Sequence, residues 1–184
     1  PDLLPWLHAA LQHDSSALVR EEAAKKLESW EDSTSLQVLA QALFDADLNV
    51  RQAASQSLSE VKNPASTQIL APYLKHTDTF ALGAILRALK PLRPQQLFEE
   101  ISALVHHEDA FVRREAVSAL SWLQQDQAIT ILAKIAETDT DDEVRRIATG
   151  GLAYSQSISA EVIQALQHSL TSESWQLRVE AALT

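Results

Sequence analysis

The sequence has no cysteine and no methionine, only 3 glycines and 6 prolines, and 5% aromatic residues among its 184 residues. The absence of cysteine excludes disulfides and thiolate chemistry. So few glycines and prolines argue against β architectures that depend on tight turns. No apolar run approaches the roughly 18 residues that a membrane-spanning helix needs, so we expect no membrane span. Because the chain has no initiating methionine, we expect it to be part of a longer protein.

Basic residues are also in deficit, because 15 Lys and Arg stand against 25 Asp and Glu, which gives a formal net charge of −10. Nucleic acid would be repelled unless the basic residues gather on one face, so we expect no nucleic-acid partner. What the chain does contain is 46% hydrophobic residues, set among Ala, Leu, Gln, Glu and Ser. This composition predicts a globular helical protein rather than a disordered one.

One phrase of the sequence recurs six times. It reads DADLNVRQAASQSL from Asp45, and the six copies follow one another in steps of 31 to 33 residues. A period of this size is typical of solenoid proteins. We call the position of the valine in each copy V; the apolar residues at V, V+4 and V+8 then have the spacing of one helix face. These three columns are Val19, Val50, Ala81, Val112, Val144 and Leu177; Ala23, Ala54, Ile85, Ala116, Ala148 and Ala181; and Leu27, Leu58, Leu89, Leu120 and Leu152.

A second helical segment precedes each phrase, as in SLQVLAQALF over 35–44 and STQILAPYLK over 66–75. Each repeat is therefore predicted to be a hairpin of helix A and helix B, which buries its apolar face only by stacking on neighbouring hairpins. The predicted fold is all-α, an α-solenoid of about six stacked helical hairpins in a single domain over 1–184. The predicted repeats are 1–30, 31–61, 62–92, 93–123, 124–155 and 156–184, the last of them incomplete.

The polar start of the phrase predicts contacts between repeats. An aspartate lies six residues before an arginine at V+1 in three copies: Asp14 and Arg20, Asp45 and Arg51, and Asp139 and Arg145. We expect each aspartate to cap the following helix and each arginine to reach an aspartate of the same or the next repeat, which would form a ladder. His76, His107 and Ser172 replace the aspartate in the other copies, and Leu82 replaces the arginine in the third.

The acid-rich turn followed by Val-Arg, Ala and Leu resembles HEAT repeats, particularly the phycobilisome-lyase type with its period of roughly 30 residues. The resemblance covers essentially the whole chain and implies B helices that line a concave face. Deoxyhypusine hydroxylase also resembles this architecture and binds two irons through His-Glu pairs directly after the arginine. The corresponding pairs here, such as Gln52-Ala53 and Arg114-Glu115, contain no histidine. That activity is therefore excluded.

Candidate contact residues lie on the B helices opposite the apolar columns. Positions V+2 and V+6 become basic in repeats three to five, where the arginines would follow one another at about 10 Å. Aromatic residues flank them at V+10, and aromatic and arginine side chains often anchor interfaces. Glycines at 150 and 151 indicate that another group, which could be a neighbouring helix, lies close to the backbone of the fifth B helix. Two other interpretations stay open: the arginines belong to an ordinary solvated face, and the aromatic residues cover the edge of the core. The candidates are Arg87, Arg114, Glu115, Trp122, Arg146 and Tyr154.

No catalytic constellation, metal site or cofactor site is predicted. His76 and His107 share one column, but adjacent repeats are too far apart for both to bind one metal ion easily. We therefore favour a non-enzymatic scaffold that binds a protein partner on its concave B-helix face. The alternative is a bilin-lyase-like protein or chaperone that handles a tetrapyrrole, with Arg114 and Arg146 pairing with propionates. A third possibility is that the repeats only space two other domains.

Overall fold

The structure is a computed structural model that describes residues 3–155 and 158–184. The regular structure in these two ranges consists of α-helices and short 3-10 helices, without strands. The α-helices pair in chain order into hairpins, and the predicted all-α solenoid of about six hairpins is confirmed. The chain forms two compact units, Pro1–Pro94 and Gln95–Thr184, and each unit holds three hairpins.

Unit 1 contains α1 (Leu4–His13), α2 (Ala17–Lys26), α3 (Ser33–Ala42), α4 (Leu48–Ser59), α5 (Thr67–Leu70) and α6 (Thr79–Leu89). The A helices pack in the order α1, α3, α5, and the B helices pack in the order α2, α4, α6. Helix α5 is short because Pro72, which has no N–H to donate, falls within the segment. The chain continues from α5 as a 3-10 helix over Ala71–Lys75. The helical segment predicted over 66–75 is thus divided in two.

Unit 2 contains α7 (Phe98–Leu104), α8 (Ala110–Leu123), α9 (Asp126–Thr138), α10 (Asp142–Gly151), α11 (Ala160–Leu170) and α12 (Trp175–Leu183). The B helices α8, α10 and α12 pack side by side, and α9 packs against α11. Each A helix also packs against the B helix of its own hairpin. None of the helices described is both long and apolar enough to span a membrane.

The three apolar columns of the B helices form the core, as predicted. Val50, Val112 and Val144 have no exposed surface, and the alanine and leucine columns between α4 and α10 are buried in the same way. Small alanines at V+4 let neighbouring helices approach closely, while the leucines fill the space between the layers. Val19 departs from its column because it is 42% exposed. Among the residues described, no hairpin lies before the first B helix to cover this position.

Aspartates three residues before V begin four of the B helices. The side chains of Asp47, Asp78, Asp109 and Asp141 accept hydrogen bonds from backbone N–H groups in the first turns of α4, α6, α8 and α10. Each bond satisfies an N–H group that has no partner within the helix. The acid-rich turn of the phrase is therefore the N-cap of the B helix.

The capping role predicted for the earlier aspartates is wrong. Oδ1 of Asp45 accepts a hydrogen bond from the N–H of Asp47 at 2.8 Å, so its carboxylate holds the turn before the helix. Nδ1 of His107 accepts from the N–H of Asp109 at 3.0 Å in the same way. A side chain at this position reaches only the N–H two residues on, which precedes the first helical turn. This explains why histidine can replace aspartate in this column.

The predicted ladder is formed in part: a rung to the next hairpin is found in each unit, whereas the buried Nε of Arg51 has no hydrogen-bond partner. Arg20 donates from Nε and Nη2 to the carboxylate of Asp45, both at 2.8 Å. Arg113 donates in the same way to Asp139 at 2.9 and 3.0 Å. These four side chains are at most 16% exposed. In both rungs Nη1 of the arginine donates to backbone carbonyls in the turn before its own helix. This holds the edge of the guanidinium that carries Nε and Nη2 towards the next hairpin.

Candidate functional site

The predicted contact residues divide between the two units. Arg87 is exposed on α6 of unit 1. The others belong to α8, α10 and the turn after α10 in unit 2. We call the surface made by V+2, V+6 and V+10 of α8 and α10 the B-helix strip; it comprises Arg114, Ser118, Trp122, Arg146, Gly150 and Tyr154. Residues four apart lie on one face of a helix, and α8 packs against α10, so these positions share one surface.

Arg114 is fixed on the strip by the cap of the next B helix. Its Nε donates to Oδ1 of Asp141 at 3.1 Å, and its Nη2 donates to Oδ2 at 2.7 Å. The Asp141 carboxylate also caps α10, so one group anchors both helices. The hydrogen bonds from Arg114 hold the pKa of Asp141 below its usual value, and the capping N–H groups act in the same direction.

Arg146 is held by two carboxylates. Its Nε and Nη2 donate to Glu143, one turn earlier on α10, at 2.8 and 2.7 Å. Its Nη1 donates to Glu180 on α12. The hydrogen bonds from Arg146 lower the pKa of Glu143, although partial burial opposes the shift. Bidentate binding fixes the plane of a guanidinium, so Arg146 presents a defined geometry on the strip.

These pairs correct the predicted charge of the surface. The V+2 and V+6 positions indicate a basic face, whereas the structure places three carboxylates against Arg114 and Arg146. The strip of unit 2 is therefore charge-compensated rather than basic. Asp141 and Glu143 are not among the predicted residues because neither occupies the positions V+2, V+6 or V+10 that define the strip. The signal for Glu143 was present, since an acid three residues before an arginine on a helix is a favourable pair.

The glycines of α10 allow close packing within unit 2. A Cβ atom at Gly151 would lie 2.9 Å from Cβ of Ser121 on α8 and 3.0 Å from a methyl group of Leu132 on α9. A Cβ atom at Gly150 would meet the flexible end of Glu180. The predicted close approach to this helix is thus confirmed, and its occupants are neighbouring helices of the chain.

Two aromatic side chains complete the strip. Trp122 lies near the end of α8 and is half-buried. Tyr154 closes the 3-10 turn Leu152–Tyr154 after α10 and is 44% exposed. Glu115 is half-buried next to Arg114. The strip therefore combines two aromatic surfaces with two guanidinium groups of fixed orientation, which are the side-chain types that anchor protein interfaces.

A separate cavity of 570 Å³ lies in unit 2 away from the strip. It is bounded by the turn after α7 and by α9, with Val105, Ile131 and Ile135 as apolar lining and Lys134 at its edge. Within residues 3–155 and 158–184, no group of three His, Asp or Glu side chains is arranged to hold a metal ion. The strip and this cavity are thus separate surfaces of unit 2.

The comparison with protein families gives a match over most of the chain. The model for HEAT repeats matches residues 4–90 and 78–153. The chain belongs to the HEAT-repeat family, as its phrase predicts, and the HEAT and armadillo-like scaffold is generally a protein-binding one. A comparison with curated proteins found no match.

Solved structures of repeat proteins are similar to this chain. One is an engineered protein, 22% identical over 99% of this chain and 96% of the other, with a TM-score of 0.66. A designed armadillo repeat protein in complex with the peptide (KR)4 is 17% identical over 98% and 97%, also with a TM-score of 0.66. The complex of CpcE and CpcF of phycocyanin lyase from Nostoc sp. PCC7120 is 23% identical over 98% and 80%, with a TM-score of 0.52. At these identities the likeness shows the fold, and the last of them fits the phycobilisome-lyase type of repeat.

Proposed function

We propose that the chain is a non-enzymatic scaffold that binds a partner protein on the B-helix strip of unit 2. The observation that carries the proposal is the combination of Trp122 and Tyr154 with Arg114 and Arg146 on two adjacent B helices. Preformed side-chain geometry lowers the entropy lost on binding, so the ion pairs of the strip favour its use as an interface. In the family, the B helices line the concave face.

The chemistry of the strip favours an extended segment of the partner. Apolar side chains of the segment would cover the rings of Trp122 and Tyr154. A backbone carbonyl or a carboxylate would accept a hydrogen bond from Arg114, whose side chain is 40% exposed. Since Asp141 and Glu180 already compensate much of the positive charge, the segment need not be strongly acidic. The designed armadillo protein in complex with a peptide supports a peptide ligand on this fold.

The experiment begins with peptides selected for binding to the chain from a random display library. Their affinity is then measured for the variant Trp122→Ala combined with Arg146→Glu. We expect a loss of roughly 30-fold or more, because the loss of even a single anchor residue costs about 2 kcal/mol or more. Tyr154→Ala is a milder variant that leaves every ion pair of the strip in place, and we expect it to weaken binding as well.

The matched control is Trp30→Ala combined with Lys134→Glu. It removes one indole and reverses one charge at exposed positions outside the strip. The proposal predicts that the control binds as the wild type does. Unchanged affinity of the strip variants, with circular dichroism showing intact helices, would place the binding site elsewhere.

A second candidate is handling of an open-chain tetrapyrrole, and the likeness to the CpcE and CpcF complex favours it. In this case Arg114 and Arg146 would bind propionates, and the two aromatic rings would cover the chromophore. A propionate at Arg146 would have to compete with Glu143 and Glu180, which already bind its three nitrogens, and this makes protein binding the better-supported function. Addition of phycocyanobilin separates the two, because an unchanged absorption spectrum at micromolar protein eliminates this candidate.

A further inference from the structure

The cavity of unit 2 lies between hairpin four (α7 and α8) and hairpin five (α9 and α10), where each A helix turns into its B helix. Its volume of 570 Å³ is within the range of about 300–1,000 Å³ that small-molecule sites occupy. Apolar side chains line it: Val105 and Ile135 are buried, and Ile131 is half-buried. Helix α9 packs closely on α11, whereas α7 does not pack closely on α9. The cavity occupies the side of α9 that α7 leaves uncovered.

The corresponding place between the first two hairpins is bridged by polar side chains. Gln12 and Gln41, at V−7 and V−9 of their repeats, are joined by a hydrogen bond at 3.2 Å. Val105 and Ile135 occupy the same two positions in hairpins four and five. The cavity at the first place is the smaller, with 250 Å³. An apolar pair that cannot form a hydrogen bond has thus replaced the polar bridge.

The corresponding place between the second and third hairpins is filled by rings. The ring centroid of Phe44 lies 4.2 Å from that of His76 and 6.4 Å from that of Tyr73. Phe44 and Tyr73 occupy V−6 and V−8, where hairpins four and five have His106 and Ala136. Because an alanine takes the place of the tyrosine, the side chains of hairpins four and five leave this space open.

The polar side chains of the cavity favour an anionic head group. Lys134 is exposed at its edge, and no ion pair of its ammonium is found in the part of the chain that the structure describes. Nδ1 of His107 accepts a hydrogen bond from the N–H of Asp109, so at neutral pH Nε2 carries the ring proton and is a donor. The carboxylate of Asp139 is already bound by Nε and Nη2 of Arg113, which compensates its charge.

Glu108 also lines the cavity and has the charge that opposes such a ligand. Its side chain is exposed, and the charge of an exposed carboxylate is screened by water and salt. We therefore expect Glu108 to weaken the binding of an anion without preventing it. Its removal should strengthen binding, which gives the test a change of opposite sign.

We propose that this cavity binds a small carboxylic acid with an apolar body, such as an arylalkanoic acid. The apolar body lies against Val105, Ile131 and Ile135, and the carboxylate accepts hydrogen bonds from Nζ of Lys134 and Nε2 of His107. A cavity of about 150 Å³ takes benzene, so the volume here admits a ligand of at most about 20 non-hydrogen atoms. The cavity is separate from the B-helix strip, and the proposal does not depend on the proposed function.

An NMR titration of the ¹⁵N-labelled chain with 4-phenylbutyrate, up to roughly 5 mM, tests the proposal. We expect a Kd below about 1 mM, with shifts of the backbone amide signals in the turn after α7 and in α9. Two matched compounds separate the parts of the ligand. The amide 4-phenylbutanamide keeps the apolar body without the charge and should bind roughly threefold or more weakly. Butyrate keeps the charge without the ring and should bind roughly tenfold or more weakly.

Variants of the lining assign the contacts. Lys134→Gln should weaken the binding of 4-phenylbutyrate roughly threefold or more and leave that of the amide unchanged, because only the carboxylate pairs with the ammonium. Glu108→Gln should strengthen the binding of the acid, and Ile131→Gln should weaken the binding of both compounds. The matched control is Lys62→Gln, which removes the same charge at an exposed position of unit 1 and should bind as the wild type does.

Three results would overturn the proposal: no shifts up to roughly 5 mM acid, equal affinity for the acid and the amide, or a Lys134→Gln variant that binds the acid as the control does. Shifts confined to the B-helix strip would overturn it as well, because they would place the ligand on the other surface of unit 2. Circular dichroism of each variant verifies that its helices are intact.

Discussion

Arg113→Ala should destabilise the protein far more than Arg145→Ala, although both arginines occupy V+1 in adjacent hairpins. Arg113 donates two hydrogen bonds to Asp139, and these side chains are 13% and 8% exposed. The truncation leaves the Asp139 carboxylate out of water without its counter-charge. Hydrogen bonds to charged groups contribute about 1.5–3 kcal/mol, so we expect a loss of about 2–3 kcal/mol. Arg145 pairs instead with Asp142, whose side chain is 61% exposed, and such pairs contribute about 0.2–1 kcal/mol.

Thermal and urea denaturation followed by far-UV circular dichroism measures this difference. A loss of about 2–3 kcal/mol corresponds to a fall of roughly 4–12 °C in Tm for a chain of this size. A double-mutant cycle with Asp139→Asn isolates the pair, because asparagine can still accept the N–H of Asp141. We expect a coupling of about 1–2 kcal/mol. Equal losses for the two arginine variants, or a coupling below about 0.3 kcal/mol, would refute the reasoning.

Three further predictions concern stability. Hydrogen bonds from arginine lower the pKa of Asp45 and Asp141. The stability that these two ion pairs contribute is therefore fully present above the ordinary carboxyl pKa of about 4 and is lost as the pH falls through the lowered pKa. A pH series of Tm should show this loss below about pH 4, and Asp45→Asn should make the fall in Tm shallower. Gly151→Val should cost about 1–3 kcal/mol in urea denaturation because α8 and α9 leave no space for a side chain, whereas Gly150→Ala should stay within about 1 kcal/mol of the wild type. Leu120→Ala removes a fully buried side chain of the core and should cost about 2–5 kcal/mol in the same assay; a loss under about 1 kcal/mol would contradict its place in the core.

The fold could be predicted because each repeat restates the same local pattern. The columns of Val50, Ala54 and Leu58 follow the helical period, and this spacing alone predicts that they form one buried face. The ladder was predictable for a similar reason, since the rung of Arg113 and Asp139 joins equivalent positions of successive repeats. The break at Pro72 shows where a single residue overrides the repeat pattern.

The ion pairs of the strip, unlike the fold, could not be predicted from the sequence. Periodicity places Arg114 and Arg146 on one face, but it does not show which carboxylates from the loop and the next helix reach them. Asp141 serves two helices at once, and Glu180 comes from α12 across the packing interface. Such pairs depend on the offset of neighbouring helices, which the hydrophobic pattern leaves open. The distinction between a cap and a turn residue, as for Asp45, depends instead on the residue at which the helix begins.

Hydrogen–deuterium exchange with and without a selected peptide tests the central claim most directly. If the strip binds the partner, protection should appear on α8 and α10 and in the turn that ends at Tyr154. The turn after α7 and helix α9, which border the separate cavity, should exchange as in the unbound protein. Protection confined to this turn and α9 would contradict a binding site on the B helices of unit 2.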